Sequence, residues 1–135
     1  MTFSLNIKTA EDLAAEAQAL LAAQVTAECD RRLAAGTVVT VTGYGDIPVQ
    51  GRQKDQINLM ALEATAKDLI AAGITGPILD FRDGENVHHK LTPAQFVEMS
   101  RKGKEAASAV YATSWALKDS GDIPADFADD AHWPS

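Results

Sequence analysis

The chain has little cysteine, little positive charge and no long apolar run, and each shortage excludes a class of protein. A single cysteine among 135 residues rules out an intramolecular disulfide and a cysteine-rich zinc site. The 12 Lys and Arg residues are outnumbered by 19 Asp and Glu, for a net charge of −7. Because these cations are scattered, we expect no nucleic-acid partner. The lone Cys29 lies among apolar helical positions and is predicted to be a small buried residue.

Membrane insertion and secretion are also disfavoured. No apolar stretch approaches the roughly 20 residues that a membrane span needs. The N-terminal sequence MTFSLNIKT lacks the basic and then apolar regions of a signal peptide. We therefore expect a soluble protein that is made in a cytoplasm and has no membrane partner. The length suits one domain over residues 1–120, followed by an acidic tail over 121–135.

The pattern of apolar residues predicts three long helices and two short hairpins. Phe3, Leu5 and Ile7 alternate with polar residues, as in a short strand. A capping box at Thr9 then opens a first helix, which Gly36 ends. Its predicted apolar stripe consists of Leu13, Ala17, Leu20, Leu21, Val25, Cys29 and Leu33.

The rest of the chain repeats this alternation of helix and hairpin. The β-branched run TVVTVT and the segment around Ile47 predict a first hairpin within residues 1–50. A second helix is expected from Arg52 to Ala72, buried between two others because its apolar residues lie on more than one face. A second hairpin pairs 78–82 with 87–91, and Thr92 caps a third helix that runs to about Asp119.

This order of elements predicts an α+β fold dominated by helices. At about 1.5 Å per residue, the first and third helices would each be nearly 40 Å long, so we expect an elongated molecule. Such a shape leaves apolar surface to cover, which favours a homo-oligomer or a place in a larger assembly.

The second hairpin carries the densest set of candidate catalytic groups. His88 and His89 are neighbours on a strand, so their side chains point to opposite faces and cannot both bind one metal ion. Asp83 is a natural turn residue, and we expect it to be solvated and to pair with Arg82 across the hairpin. A carboxylate in that setting lacks the burial that acid–base catalysis needs. Asp80 and Glu85 receive the same interpretation.

Other motifs give no better support to an enzyme. The sequence has no G-x-S-x-G motif, and Cys29 has no His nearby in sequence. Gly43-x-Gly45 is too short for a phosphate loop, so no cofactor is expected. Tyr111 and Trp115 have helical spacing, which is more typical of a core than of a stacking platform.

The acidic tail contains two large aromatic residues, Phe127 and Trp133. We expect the tail to dock either on its own chain or on a partner, and we favour the two aromatics as anchors for a partner pocket. The residues proposed for partner contact are therefore Phe127, Trp133, Arg82, Asp83 and His88.

The segments GRQKDQINLMAL, FRDGENVHHKLTPAQF and YATSWALKD follow one another between residues 51 and 119. They resemble an uncharacterised domain family of tailed-phage and prophage tail modules, with members described as tail-fibre-assembly-like or tail accessory proteins. The resemblance covers about half of the chain and brings no catalytic residue with it. The matching positions are Arg52, Asn58, Phe81, Arg82, Asp83, Leu91, Thr92, Gln95, Trp115 and Lys118.

This resemblance implies a non-enzymatic structural or assembly protein of a phage tail, located in the virion tail. Its partners would be tail-fibre or baseplate proteins. One alternative is a transient chaperone that holds a tail fibre during assembly and is absent from the virion. An alternative of another class is an enzyme or a glycan-binding module centred on the second hairpin.

Overall fold

A computed structural model describes residues 7–135 of the chain. The predicted strand at Phe3 and Leu5 lies outside this range, and Ile7 belongs to no helix or strand. The elements follow the predicted order, and the fold is α+β with helices dominant. They are α1 (Ala10–Ala35), β1 (Thr37–Val41), β2 (Gly45–Val49), α2 (Gln53–Ala71), β3 (Leu79–Arg82), β4 (His88–Leu91), α3 (Pro93–Asp119) and a final 3₁₀ turn (Asp130–His132).

Two of the helices begin at the capping boxes predicted from the sequence. The amide of Asp12 donates to the Thr9 hydroxyl over 3.1 Å, and the Asp12 carboxylate accepts from the Thr9 amide over 3.0 Å. Thr92 and Gln95 make the same reciprocal pair at the start of α3, at 3.1 and 3.0 Å. Each box satisfies backbone donors that a helix start leaves free.

The strands form two separate antiparallel hairpins, and α3 packs against both. Side chains of α3 also bind the first hairpin at β1 and at Thr42, the residue that follows it. The Glu98 carboxylate accepts from the Thr42 amide over 2.7 Å, and the Lys102 ammonium donates to the Thr40 carbonyl over 2.6 Å. Two-stranded hairpins are marginally stable alone, so α3 is the element that holds them in place.

The interior divides into two apolar clusters. The first lies between the hairpins, α2 and α3, and includes Val39, Val41, Ile47, Val49, Leu59, Ala66, Leu91, Phe96 and Met99. The second lies between α1, α3 and the C-terminal tail, and includes Val25, Cys29, Leu33, Ala107, Ile123 and Trp133. Cys29 is buried, as predicted, and the tail completes the second cluster instead of extending from the domain.

Two predictions about helix packing were wrong. The α1 stripe is fully buried only from Val25 onward, and Leu13 and Leu20 are exposed. Helix α2 is not buried between two others, because both α1 and α2 pack against α3. Ile57 and Met60 are consequently 58% and 60% exposed on its outer face.

Candidate functional site

The second hairpin places its charged residues on two different faces. Phe81 pairs with His89, and Arg82 pairs with His88 in the register of β3 and β4. The turn that joins the strands closes through the Asp83 amide, which donates to the Val87 carbonyl over 2.9 Å. Because side chains alternate along the chain in extended backbone, Arg82 and His88 point outward, while Asp83, which follows β3, and His89 of β4 point inward.

Asp83 is buried at the base of this turn, with only 6% of its surface exposed. One carboxylate oxygen accepts from the backbone amides of Glu85 and Val87, at 2.8 and 3.0 Å. The other lies 2.6 Å from Nε2 of His89. Burial raises the pKa of Asp83, but the bonds from His89, Val87 and Glu85 outweigh it and hold that pKa below its ordinary value.

The His89 ring links this carboxylate to the other hairpin. Its Nδ1 lies 2.6 Å from the hydroxyl of Tyr44, which belongs to the turn between β1 and β2. An ionised Asp83 can only accept, so Nε2 of His89 donates in this bond, and Nδ1 and the phenolic hydroxyl share the second hydrogen bond. Tyr44, His89 and Asp83 thus form a hydrogen-bonded chain that connects the two hairpins.

This geometry corrects the prediction of a solvated Asp–Arg pair. Asp83 is buried and bound to His89, and Arg82 instead donates twice to Nε2 of His88, at 3.2 and 2.7 Å. Neighbouring side chains point to opposite faces of extended backbone. Arg82 therefore meets His88 on one face, and Asp83 meets His89 on the other. Sequence reasoning could not identify Tyr44 as a third member, because it lies 45 positions from His89.

A hydroxyl, an imidazole and a carboxylate in series could in principle serve acid–base chemistry. The bond between the Tyr44 hydroxyl and His89 is compatible with such chemistry. The main clefts in the part of the chain that the structure describes, however, are lined by other residues. The most direct effect of the hydrogen bonds between Tyr44, His89 and Asp83 is to connect the two hairpins.

A second buried polar group, Glu63, connects α2 with α3. Its carboxylate accepts from the Ser100 hydroxyl over 2.9 Å and pairs with the ammonium group of Lys104. Burial raises the pKa of Glu63, but these bonds outweigh it and keep that pKa below its ordinary value. The signal for this contact in the sequence was the position of Glu63, between Leu59 and Ala66 on the buried face of α2. Sequence reasoning missed it.

The aromatic residues of the tail are anchors within the chain. Trp133 is 6% exposed, and its indole N–H donates to the Phe127 carbonyl over 2.7 Å. The guanidinium of Arg32 lies 5.0 Å from the Trp133 ring and donates to Asp130 over 2.8 Å. The tail therefore docks on its own chain. The expectation that Trp133 fills a partner pocket is corrected, because the ring is buried in the second cluster.

The second aromatic pair, on α3, was predicted to lie in the core, and this was wrong for Trp115. Its side chain is 58% exposed and stacks on Tyr111 with ring centres 6.0 Å apart. Tyr111 in turn lines an open cleft of about 340 Å³ between α1 and the start of α2. The other residues of this cleft are Asp30, Leu33, Ala34, Arg52 and Gln53.

Residues 7–135 contain neither a cluster of metal ligands nor a helix suited to the membrane. No three His, Cys, Asp or Glu side chains in this range are grouped so that they could hold a metal ion. None of the three long helices combines the length and the apolar character needed to cross a membrane.

Three long helices and two hairpins that are connected through His89 define a small helix-dominated α+β domain. A protein-family model described as Domain of unknown function (DUF4376) matches residues 16–132, and the chain belongs to this family. The match includes most of α1 and of the tail, so it extends well beyond residues 51–119. No curated protein and no solved structure matches the chain.

Proposed function

We propose that the chain is a non-enzymatic structural or assembly protein of a phage tail that acts through protein–protein contacts. The observation that supports this role is the number of large apolar side chains exposed on the helices. Leu13, Leu20, Ile57, Met60 and Trp115 are each more than half exposed. Apolar side chains that form a contiguous exposed patch are typical of a surface that another chain covers.

The outer face of α2 is the most regular of these surfaces. Ile57, Met60, Ala64 and Ala71 recur at intervals of three, four and seven, opposite the buried Leu59. Helices that present an apolar stripe to solvent are typical of helix-in-groove or helix-bundle contacts. The phage context itself comes from the resemblance of residues 51–119, and the proposed partners are tail-fibre or baseplate proteins.

Quantitative mass spectrometry of purified particles tests this proposal. A copy number that is an integral multiple of the tail symmetry would support a component of the virion tail. Absence from particles, together with co-purification with the fibre protein from the producing cells, would support the chaperone alternative. Absence from both would overturn the proposal.

The role of the α2 stripe can be tested with paired variants. Replacing Ile57 and Met60 by Ser should weaken binding to the fibre or baseplate partner while leaving the free energy of unfolding nearly unchanged, because both side chains are exposed. Val38→Ser is the matched control, since Val38 is equally exposed but lies on β1. Equal loss of binding in both variants would argue against a specific α2 surface.

The hairpin-centred enzyme or glycan-binding module remains the alternative of another class. The chain of Tyr44, His89 and Asp83 is the observation that favours it. Tyr44→Phe removes only the hydroxyl and retains the ring. Loss of a hydrolytic or glycan-binding activity in this variant, with the fold intact, would replace the structural role by this alternative.

A further inference from the structure

The side of α2 that faces away from the core contains apolar and charged residues that all remain exposed. They recur at intervals of three and four, which is the spacing of a coiled-coil seam, and so they lie along one side of the helix. The seam consists of Lys54, Ile57, Ala61, Ala64 and Asp68. The buried Leu59 and Ala66 lie on the opposite side, in the first apolar cluster. A second helix can therefore lie along the seam without disturbing the core.

The seam has a charge of opposite sign at each end. Lys54 lies near the start of α2 and Asp68 near its end, at equal intervals along the chain from Ala61. Neither takes part in an ion pair within residues 7–135, whereas their neighbours Glu63 and Lys67 pair with each other. Both charges of the seam thus point to solvent, with apolar residues between them.

This order of residues is complementary to itself when two copies of α2 run in opposite directions. A two-fold axis through Ala61 brings Lys54 of each copy opposite Asp68 of the other. The same axis sets Ile57 beside the small Ala64 of the other copy, so the large side chain enters a hole bounded by small ones. In a parallel pair Lys54 would face Lys54 and Asp68 would face Asp68, and like charges in contact are unfavourable.

We propose that the occupant of this seam is α2 of a second copy of the chain, in an antiparallel and symmetric homodimer. The inference rests on the protein-contact role given above and specifies what covers the α2 face. In a phage tail the fibre or baseplate partner would then bind a dimer, and loss of the second copy would weaken that binding too. Because α2 has 19 residues and is about 28 Å long, the contact is small, and the dimer should dissociate on dilution.

Charge substitutions in the full chain test the orientation of the pair. Sedimentation equilibrium over about a hundredfold range of concentration gives the dissociation constant of the dimer. Lys54→Glu should raise that constant at least about fivefold, because two-fold symmetry repeats the unfavourable contact with Asp68. Asp68→Lys should do the same. The double variant restores both pairs in reverse and should return to within about twofold of the original constant.

Lys90→Glu is the matched control for these charge changes. It alters the net charge equally, at an exposed position of the second hairpin. Its dissociation constant should stay within about twofold of the original, since Lys90 lies outside the seam.

A disulfide across the axis tests the register of the pair. In a symmetric pair only the residue on the axis faces its own counterpart, and helix axes about 8–10 Å apart bring two such Cα atoms within reach of a disulfide. Ala61→Cys should therefore cross-link two copies under mild oxidation. Ala72→Cys, on the same side but just past the end of α2, should not. The native Cys29 is buried and does not interfere.

Several outcomes would overturn the α2 pair: a monomer at every concentration, a Lys90→Glu variant as weak as Lys54→Glu, or a double variant as weak as the single ones. Equal cross-linking of Ala61→Cys and Ala72→Cys would do the same. All of these measurements use the isolated chain, so their failure leaves the role in a phage tail to be judged by the copy number in particles. Conversely, a chain that is absent from particles and from fibre complexes can still dimerise through α2.

Discussion

Nε2 of His89 lies 2.6 Å from Oδ2 of Asp83, and both side chains are almost fully removed from solvent. The pair closes the second hairpin from within, while the other nitrogen of the ring faces Tyr44 in the first hairpin. Buried polar groups are stable only when their hydrogen bonds are made. The two hairpins are therefore coupled through one imidazole, and loss of either partner should be measurable.

Asp83→Ala should destabilise the domain strongly. The substitution removes the acceptor of two backbone amides and leaves His89 buried without its carboxylate, at an expected cost of about 3 kcal/mol. Urea unfolding followed by circular dichroism measures the change. Asp80→Ala is the control, because Asp80 is exposed on β3 of the same hairpin and should change stability by less than about 0.5 kcal/mol. Similar losses in both variants would contradict a buried Asp83.

Tyr44→Phe should have a smaller effect that depends on His89. Loss of the phenolic hydroxyl removes one hydrogen bond, worth about 1 kcal/mol. A double-mutant cycle with His89→Gln should then show a coupling energy of about 1 kcal/mol, because the two residues share that bond. Additive effects of the two substitutions would mean that the hairpins are held together without this contact.

Acid should destabilise the protein through its buried carboxylates. The pKa values of Asp83 and Glu63 are lowered in the folded chain, because hydrogen bonds to the carboxylates outweigh their burial. A carboxyl group with a lowered folded pKa contributes stability above its unfolded pKa and loses it as the pH falls through the folded pKa. Unfolding free energies should therefore fall from about pH 4 downward.

Asp83→Asn provides the comparison for this pH dependence. The amide cannot titrate, so the variant should be less stable near neutral pH and should lose less stability between about pH 4 and pH 2. Urea unfolding of both proteins across this range measures the two slopes. Parallel curves would show that Asp83 does not contribute to the acid sensitivity.

Local signals in the sequence predicted the elements well, and long-range contacts could not be predicted. Thr9, Thr92 and Gly36 mark helix ends through bonds or angles within a few residues, so the helix bounds agree with the structure. The hydrogen bond between His89 and Tyr44 joins two different hairpins, and the periodicity of a sequence contains no information about contacts at that separation. Tertiary packing also decided which face of α2 was buried, which is why the prediction for that helix was wrong.

Gly36→Ala should be costly for two separate reasons. Gly36 has a φ of 76°, which a residue with a Cβ rarely adopts, and an added Cβ would collide with the carbonyl oxygen of Val49. The combined strain should exceed about 2 kcal/mol. Gly73→Ala is the matched control: Gly73 has a φ of 78° but open space around it, so only backbone strain of about 1 kcal/mol applies. Equal losses would exclude the steric contribution.

Trp133→Ala should show that the tail is part of the folded domain. The ring is buried in the second cluster and lies beneath Arg32, so its removal leaves a cavity and should cost about 3 kcal/mol. Trp115→Ala is the natural control, since this exposed tryptophan should contribute less than about 1 kcal/mol. Both values can be obtained from denaturant unfolding followed by circular dichroism, which does not depend on either indole. If the tail instead served a partner pocket, Trp133→Ala would leave the stability of the free chain unchanged and would weaken only the complex.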